Sequence, residues 1–382
     1  MHICFITSEF PKSGFAHGGV GTFIATLGKA LVEKEIDVSV IGINYVDKEE
    51  IEEVNGIKVY RVTSKKIKGL KWYFKTQAIA QKIKEVNSNH PIDLIETAEL
   101  GLAFLPKLKG IKYIIRMHGG HHFFAKAENR KTEWWKVFQE KKSFNKADNV
   151  LAVSNYVAET TRDLLKLGNI PMTVIYNPID TTKFYQADEN KVKKNTIFFA
   201  GSIIEKKGIR QLVQSLNYLI EDFPDVHLYI AGRDATLPGT KIPYRPILDK
   251  EINEKIASHI TFLGVVPNSE ISKYIEQSEV CCYPSHMEAM PLAWLEVLAM
   301  GKIFIGSMTG PGPEAVTDTK TGLLCNPHDP KDIAEKIKWV FGNTEQSNKM
   351  GKSARDFVTQ NFDINSIVVK NIEVFKKIIN EN

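Results

Sequence analysis

Asn195-Thr196-Ile197-Phe198-Phe199-Ala200-Gly201-Ser202-Ile203-Ile204-Glu205-Lys206-Lys207-Gly208 is a short β-branched and aromatic run that ends on glycine and then opens a helical stretch at 208–219. That composition suits a strand buried on both faces, and the glycine lets the chain turn back as a helix. The same unit recurs outward in both directions. Upstream, strand-like runs at 2–7, 37–43, 58–62, 94–97, 112–117, 150–154 and 174–176 enclose helical stretches such as 21–34, 73–86, 132–145 and 156–165. Downstream, runs at 227–231, 260–263, 280–283, 303–306 and 322–324 alternate with helical stretches at 248–257, 269–277, 291–300 and 330–341. The alternation predicts an α/β fold of doubly wound parallel sheets.

The chain has 382 residues, enough for two domains at roughly 100–200 residues each. The seam is expected near 177–195, where Asn177-Pro178-Ile179-Asp180 leads into a charged tract ending Lys193-Lys194-Asn195. This gives domains at 1–185 and 186–363. Apolar residues at 43% and charged residues at 25% exclude collagen-like, disordered and disulfide-stapled classes. No run reaches the roughly 18–20 apolar residues that span a bilayer. The first residues lack the basic and apolar regions of a secretory signal, so the expected compartment is the cytoplasm. Cys4, Cys281, Cys282 and Cys325 form no C-x-x-C pair and read as buried, reduced thiols.

The formal net charge is +5. Its main source is the stretch 54–84, which carries Lys58, Arg61, Lys65, Lys66, Lys68, Lys71, Lys75, Lys82 and Lys84 and no acid. Such a run suits a solvated face, and equally anionic headgroups or an acceptor on a phosphate carrier. Trp72, Tyr73 and Phe74 lie within it and suit core packing, or contact with a lipid or a sugar. No nucleic-acid partner is expected.

Open parallel sheets bind ligands beyond the C-terminal ends of their strands, so polar residues in those positions are the candidates. The loop His17-Gly18-Gly19-Val20-Gly21-Thr22 precedes a helix whose free N–H groups can meet an anion; it also reads as a plain turn. Lys207 stands at a helix start, where the dipole end is already positive, and a diphosphate would offset that cost. Lys206 and Lys207 could also be solvated surface lysines. In Glu288-Ala289-Met290-Pro291-Leu292-Ala293-Trp294-Leu295-Glu296, Pro291 suits the first residue of a helix. Glu296 then lies among Leu292, Leu295 and Leu298, and a carboxylate there needs donors such as ribose hydroxyls. Glu288, in the preceding loop, could meet a second polyol. A cap and a surface glutamate would satisfy the same spacing. His118, His121 and His122 follow the 112–117 run and invite a metal reading, but no nearby Asp or Cys completes a site. No aspartates are spaced D-x-D, so a bound diphosphate would be neutralised by Lys207 and backbone N–H groups without a metal.

Taken together these elements resemble the retaining glycosyltransferases of family 4, or group 1, which have the GT-B architecture. The resemblance covers essentially the whole chain. It rests on Gly18-Gly19, on His118 after a strand, on Gly201 through Lys207-Gly208, and on Glu288-x7-Glu296. The run 260–267, which contains Val266, is similar to the family's base-binding segment. The resemblance implies two Rossmann-like domains facing across a cleft, with the C-terminal helix at 364–382 crossing back to the first. It implies that His118, Glu288 and Lys207 are catalytic. Donor binding would fall to Gly18, Gly19, Ser202, Lys207, Arg233, Val266, Glu288, Met290, Leu292 and Glu296. There are departures. Ser202 stands where the family usually has Arg, with Arg233 as a candidate substitute. Ala289-Met290-Pro291 stands where the family often has Gly-Phe-Gly, so donor N–H groups there come from Met290 and Leu292. Asn177-Pro178 replaces the frequent Asn-Gly.

The implied activity is hexosyl transfer from a nucleotide-diphosphate sugar, a UDP-sugar being favoured, to an acceptor hydroxyl. It would proceed with retention, without metal or other cofactor. The acceptor would be a saccharide or lipid-linked saccharide in surface polysaccharide, lipopolysaccharide, capsule or glycolipid synthesis. Peripheral contact with the inner face of a membrane is a further expectation. A sugar-nucleotide epimerase of the same fold, or a nucleotide-sugar or carbohydrate-binding protein without turnover, are the alternative readings.

Overall fold

The structure is a computed structural model that describes residues 1–15, 17–128, 130–168 and 170–381. It divides into two compact units, residues 1–178 with 364–382, and residues 179–363. The first unit begins with β1 (His2–Ile6), α1 (Gly19–Val32), β2 (Asp37–Ile43), β3 (Glu50–Val54), β4 (Ile57–Val62) and α2 (Lys71–Asn89). It continues through β5 (Leu94–Thr97), β6 (Lys112–Met117), α3 (His121–Ala127), α4 (Trp134–Phe144), β7 (Asn149–Ala152), α5 (Asn155–Leu165) and β8 (Met172–Val174). The second unit holds β9 (Lys193–Ala200), α6 (Ile209–Ser215), β10 (His227–Ala231), α7 (Arg245–Asp249), α8 (Glu254–Ala257), β11 (Ile260–Gly264) and α9 (Ile271–Gln277). It ends with β12 (Ser278–Tyr283), α10 (Leu292–Ala299), β13 (Phe304–Ser307), α11 (Gly312–Ala315), β14 (Leu323–Cys325), α12 (Pro330–Gly342) and α13 (Thr344–Asn361). The last helix, α14 (Ile364–Asn380), belongs to the first unit.

The first sheet has the order β3-β4-β2-β1-β5-β6-β7-β8, and the second β11-β10-β9-β12-β13-β14. All pairings are parallel except β3 with β4. Buried runs such as Ile3-Cys4-Phe5 and Val280-Cys281-Cys282 explain why: strands covered by helices on both faces must be apolar at every position. All four cysteines are buried and free. The order reverses between β1 and β5, and again between β9 and β12. These are the switch points at which helices leave for opposite faces, and where the strand-end loops part to admit a ligand.

Three details depart from the sequence reading. β3 is an added edge strand, too rich in glutamate to look like one. It joins β4 through Asn55-Gly56, both with left-handed backbone (φ 52° and 77°), as a two-residue hairpin requires. The stretch 248–257 is two short helices, because the Asn253 side chain accepts hydrogen bonds from Lys255 N (3.0 Å) and Ile256 N (3.3 Å) and starts α8 afresh. Helix α10 begins at Leu292, with Pro291 as its cap.

In the first unit, α14 turns Ile367, Val368, Phe375 and Ile378 into the same core as Phe23, Leu27 and Leu31 of α1. A buried polar clamp fixes its register. Arg116 on β6 donates to both carboxyl oxygens of Glu96 on β5 (2.7 and 2.9 Å) and to Asn371 Oδ1 on α14 (2.6 Å). Arg116 is 0% exposed, so removing its partner strands a buried charge. Glu96→Ala is therefore expected to cost about 3–5 kcal/mol, read as an earlier urea transition of the first unit. An unchanged transition would show that the clamp contributes nothing.

Candidate active site

In the second unit, the switch point brings the loops after β9 and β12 together. Gly208 has φ +67°, and a Cβ there would collide with the Pro284 carbonyl oxygen. Only glycine combines that conformation with that approach. The neighbouring backbone is joined by His286 N donating to Lys206 O at 2.8 Å. As a result Lys207 Nζ lies 2.5 Å from Glu288 Oε1, with both side chains largely buried. These residues are 81 positions apart in the chain, and the fold makes them one charged pair at the strand ends.

Glu205 braces this loop. It accepts from Arg210 Nη2 (2.8 Å), Gln211 Nε2 (3.1 Å) and Tyr244 Oη (2.6 Å). Burial alone would raise its pKa, but those donors prevail and hold it at about 2. It lies inside the quoted glycine loop, yet sequence reasoning passed over it, because two of its partners lie in α6 and the third in the segment before α7. The loop after β9 also runs beside the loop after β10: Ile203 N donates to Arg233 O at 2.9 Å. Ser202 is half-buried and Arg233 exposed on these adjacent loops. Val266 is half-buried just beyond β11, at the sheet's edge.

Met290 is buried, and Leu292 is the first residue of α10. One turn on, Glu296 retains partial exposure. Its surroundings still push its carboxyl up to about 7 by burial, with Lys183 pulling it down. A carboxylate so placed, and without a hydrogen bond to its side chain among the described residues, gains more than an ordinary surface glutamate from hydroxyl donors.

In the first unit, Gly18 caps α1 and Gly19 starts it. A Cβ on Gly18 would strike the Glu9 side chain, and one on Gly21 the Glu9 carbonyl, whereas Gly19 has nothing within 4 Å. Backbone packing thus accounts for Gly21, whereas at Gly18 the exposed Glu9 carboxylate can swing aside, and Gly19 is the open position. His118 follows β6. Its ring packs edge-on against Phe23 of α1 at 4.8 Å, and its backbone N–H donates to Glu99 Oε1 at 2.7 Å. Burial, with Arg116 nearby, lowers its pKa to about 3. It is therefore a neutral imidazole at physiological pH, able to donate or accept a hydrogen bond but not to act as a cation.

Two buried carboxylates that sequence reasoning missed shape the histidine loop. Glu99, pushed up to about 7 mainly by burial, accepts from His118. Glu140 accepts from His121 N and pairs with His122 Nδ1. His121 Nε2 accepts from Glu133 N at 3.0 Å. The imidazoles of His121 and His122 thus have different partners, Glu133 N and Glu140, while that of His118 packs on Phe23. Among the described residues no group of three or more His, Cys, Asp or Glu is placed to hold a metal ion.

Residues 17–183 match the domain described as Glycosyltransferase Family 4, and residues 180–357 the domain described as Glycosyl transferases group 1. Glycogen synthase of Mycobacterium tuberculosis is 24% identical over 230 residues, covering 60% of this chain and 54% of that protein. The matched region is thus about half the length of that relative. Among solved structures, sucrose-phosphate synthase from Thermosynechococcus elongatus superposes with a TM-score of 0.85 at 18% identity, covering 98% of each chain. HepE of Anabaena in complex with UDP-glucose does so with a TM-score of 0.74 at 17% identity, covering 99% of this chain and 100% of that one. With two parallel-sheet α/β units and both domains in order, the chain belongs to the group 1, family 4 glycosyltransferases of GT-B fold.

Proposed function

We propose that this protein is a metal-independent, retaining glycosyltransferase that moves a hexosyl unit from a nucleotide-diphosphate sugar to an acceptor hydroxyl. The observation that carries the reading is the Lys207–Glu288 pair at the β9/β12 switch point. A positive and a negative group side by side at strand ends suit a ligand that is anionic at one end and rich in hydroxyls at the other. HepE is known with UDP-glucose, which makes a UDP-sugar the first donor to try.

In this reading Lys207 stabilises the charge that grows on the leaving diphosphate as the bond to the anomeric carbon breaks. Arg233, on the loop beside Ser202, supplies a second cation where the family's arginine is missing. Glu288 accepts hydrogen bonds from the transferred sugar, and Glu296 from the ribose diol. Met290 and Leu292 offer backbone N–H groups, and Val266 lies toward the base. On the first unit, Gly18 and Gly19 at the start of α1 offer N–H groups suited to an anion, and the neutral His118 is suited to bond a hydroxyl. The acceptor hydroxyl attacks the face the diphosphate leaves, and its proton passes to the departing phosphate. The acceptor is a saccharide or lipid-linked saccharide of a surface polymer or glycolipid. The four buried, free thiols suit a reducing cytoplasm.

Incubation with UDP-, GDP- and ADP-sugars, reading released nucleotide and glycosylated product, tests the class. Lys207→Ala and Glu288→Ala are each expected to lower turnover at least about 100-fold, as loss of charge stabilisation does. Full turnover in Lys207→Ala would remove the diphosphate role. Glu296 yields a pH test. Its raised pKa of about 7 leaves the carboxyl protonated, and a poor acceptor, at lower pH. Affinity for the donor is therefore expected to fall between pH 8 and pH 6 in calorimetric titrations. Glu296→Gln should bind weakly and flatten that dependence. An unchanged slope in Glu296→Gln would exclude Glu296 as its source.

A further inference from the structure

The basic stretch of the first unit runs into an aromatic surface that the proposed chemistry does not use. Residues 65–71, Lys-Lys-Ile-Lys-Gly-Leu-Lys, are all exposed, with Ile67 and Leu70 each 46% accessible. They lead into the N-terminus of α2, whose first turn contains no acid. Stacking Lys71 and Lys75 on the positive end of a 19-residue helix is unfavourable unless anions arrive from outside.

Beside them the fold gathers rings from three separate places. Trp72 lies 4.3 Å from Phe104 and 5.9 Å from Trp135. Trp135 stacks on Phe138 at 5.6 Å and meets Trp134 edge-on at 5.7 Å. Trp134 is 78% exposed, a costly position for the largest apolar side chain unless something covers it. Lysines line these rings as well: Lys142 sits 4.6 Å over Phe104, and Lys65 5.9 Å over Phe74. Two nearby acids, Asp47 and Glu133, are each paired with a lysine, Lys66 and Lys136.

We propose that this face docks the protein on an anionic lipid surface. Lysines attract phosphodiester headgroups, tryptophan and tyrosine favour the headgroup boundary, and the aliphatic side chains of Ile67 and Leu70 gain only in an apolar layer. A soluble polyanion would satisfy the lysines but leave Ile67, Leu70 and Trp134 in water. No described helix is long and apolar enough to cross a membrane, so the contact is peripheral. The patch shares Trp72, Leu100 and Phe104 with a cavity of about 250 Å³ at the ends of β1 and β5, which also meets Lys75 and Gln139. A lipid-linked acceptor would be received there. That step rests on the proposed transfer activity, whereas the docking does not.

The test is co-sedimentation of the full chain with vesicles, with no donor or acceptor present, so its outcome leaves the transfer reading untouched. On phosphatidylcholine vesicles containing about one-third phosphatidylglycerol, binding is expected to be at least about tenfold tighter than on phosphatidylcholine alone, and to weaken in high salt. Replacing Lys65, Lys66, Lys68 and Lys71 by Gln should cost about tenfold or more. The separate variant Leu70→Ser with Trp134→Ser should also lose binding while its circular dichroism stays unchanged, because both side chains are exposed. Absence of vesicle binding, equal binding to neutral vesicles, or full binding by either variant would overturn the proposal. So would equally tight binding to heparin or single-stranded DNA that survives Leu70→Ser with Trp134→Ser.

Discussion

The second unit depends on one close approach, the backbone of Gly208 against the carbonyl of Pro284. Parallel sheets leave a gap between strand-end loops where their order reverses, and side chains on opposite sides of that gap do not ordinarily touch. Here a left-handed glycine closes it. Lys207 and Glu288 meet because the residue after Lys207 has no side chain. The Glu205 brace, tied to Arg210, Gln211 and Tyr244, keeps the turn from relaxing. Groups tied down this way lose less freedom on meeting a partner.

Buried carboxylates recur as the means of shaping loops, and their environments set them apart. Glu205 is surrounded by donors and stays ionised to about pH 2. Glu99 and Glu296 lie where burial dominates, and both are pushed up to about 7. Glu99 holds the histidine loop through the His118 N–H. Among the described residues Lys183 favours the charge of Glu296 and no hydrogen bond reaches its carboxylate, so burial prevails. His118, neutral at physiological pH, complements them as a hydrogen-bonding group without a charge of its own.

Much of the fold was legible because strands buried on both faces must be apolar throughout, and runs such as 196–200, 227–231 and 280–283 state that directly. β3 was not legible, since an exposed edge strand carries Glu50, Glu52 and Glu53 and only the Asn55-Gly56 turn betrays it. The strand-end positions of Lys207, Glu288 and His118 could be read from the same runs. Their partners could not, because Glu288 is far from Lys207 in sequence and Tyr244 is 39 residues from Glu205. The aromatic residues 72–74 read most readily as core, yet they border a surface that forms only when α4 and the 101–107 segment pack beside α2. Such placements follow from tertiary packing, to which local patterns are blind.

The central claim is that protein groups alone, without a metal, hold a nucleotide diphosphate. Calorimetric titration of UDP in the presence of EDTA tests it most directly, for the unaltered protein and for Lys207→Ala. The account predicts binding that needs no added divalent ion and weakens at least about tenfold in Lys207→Ala, a change of about 1.4 kcal/mol. Binding that appears only on adding magnesium or manganese, or that is unchanged in Lys207→Ala, would contradict it.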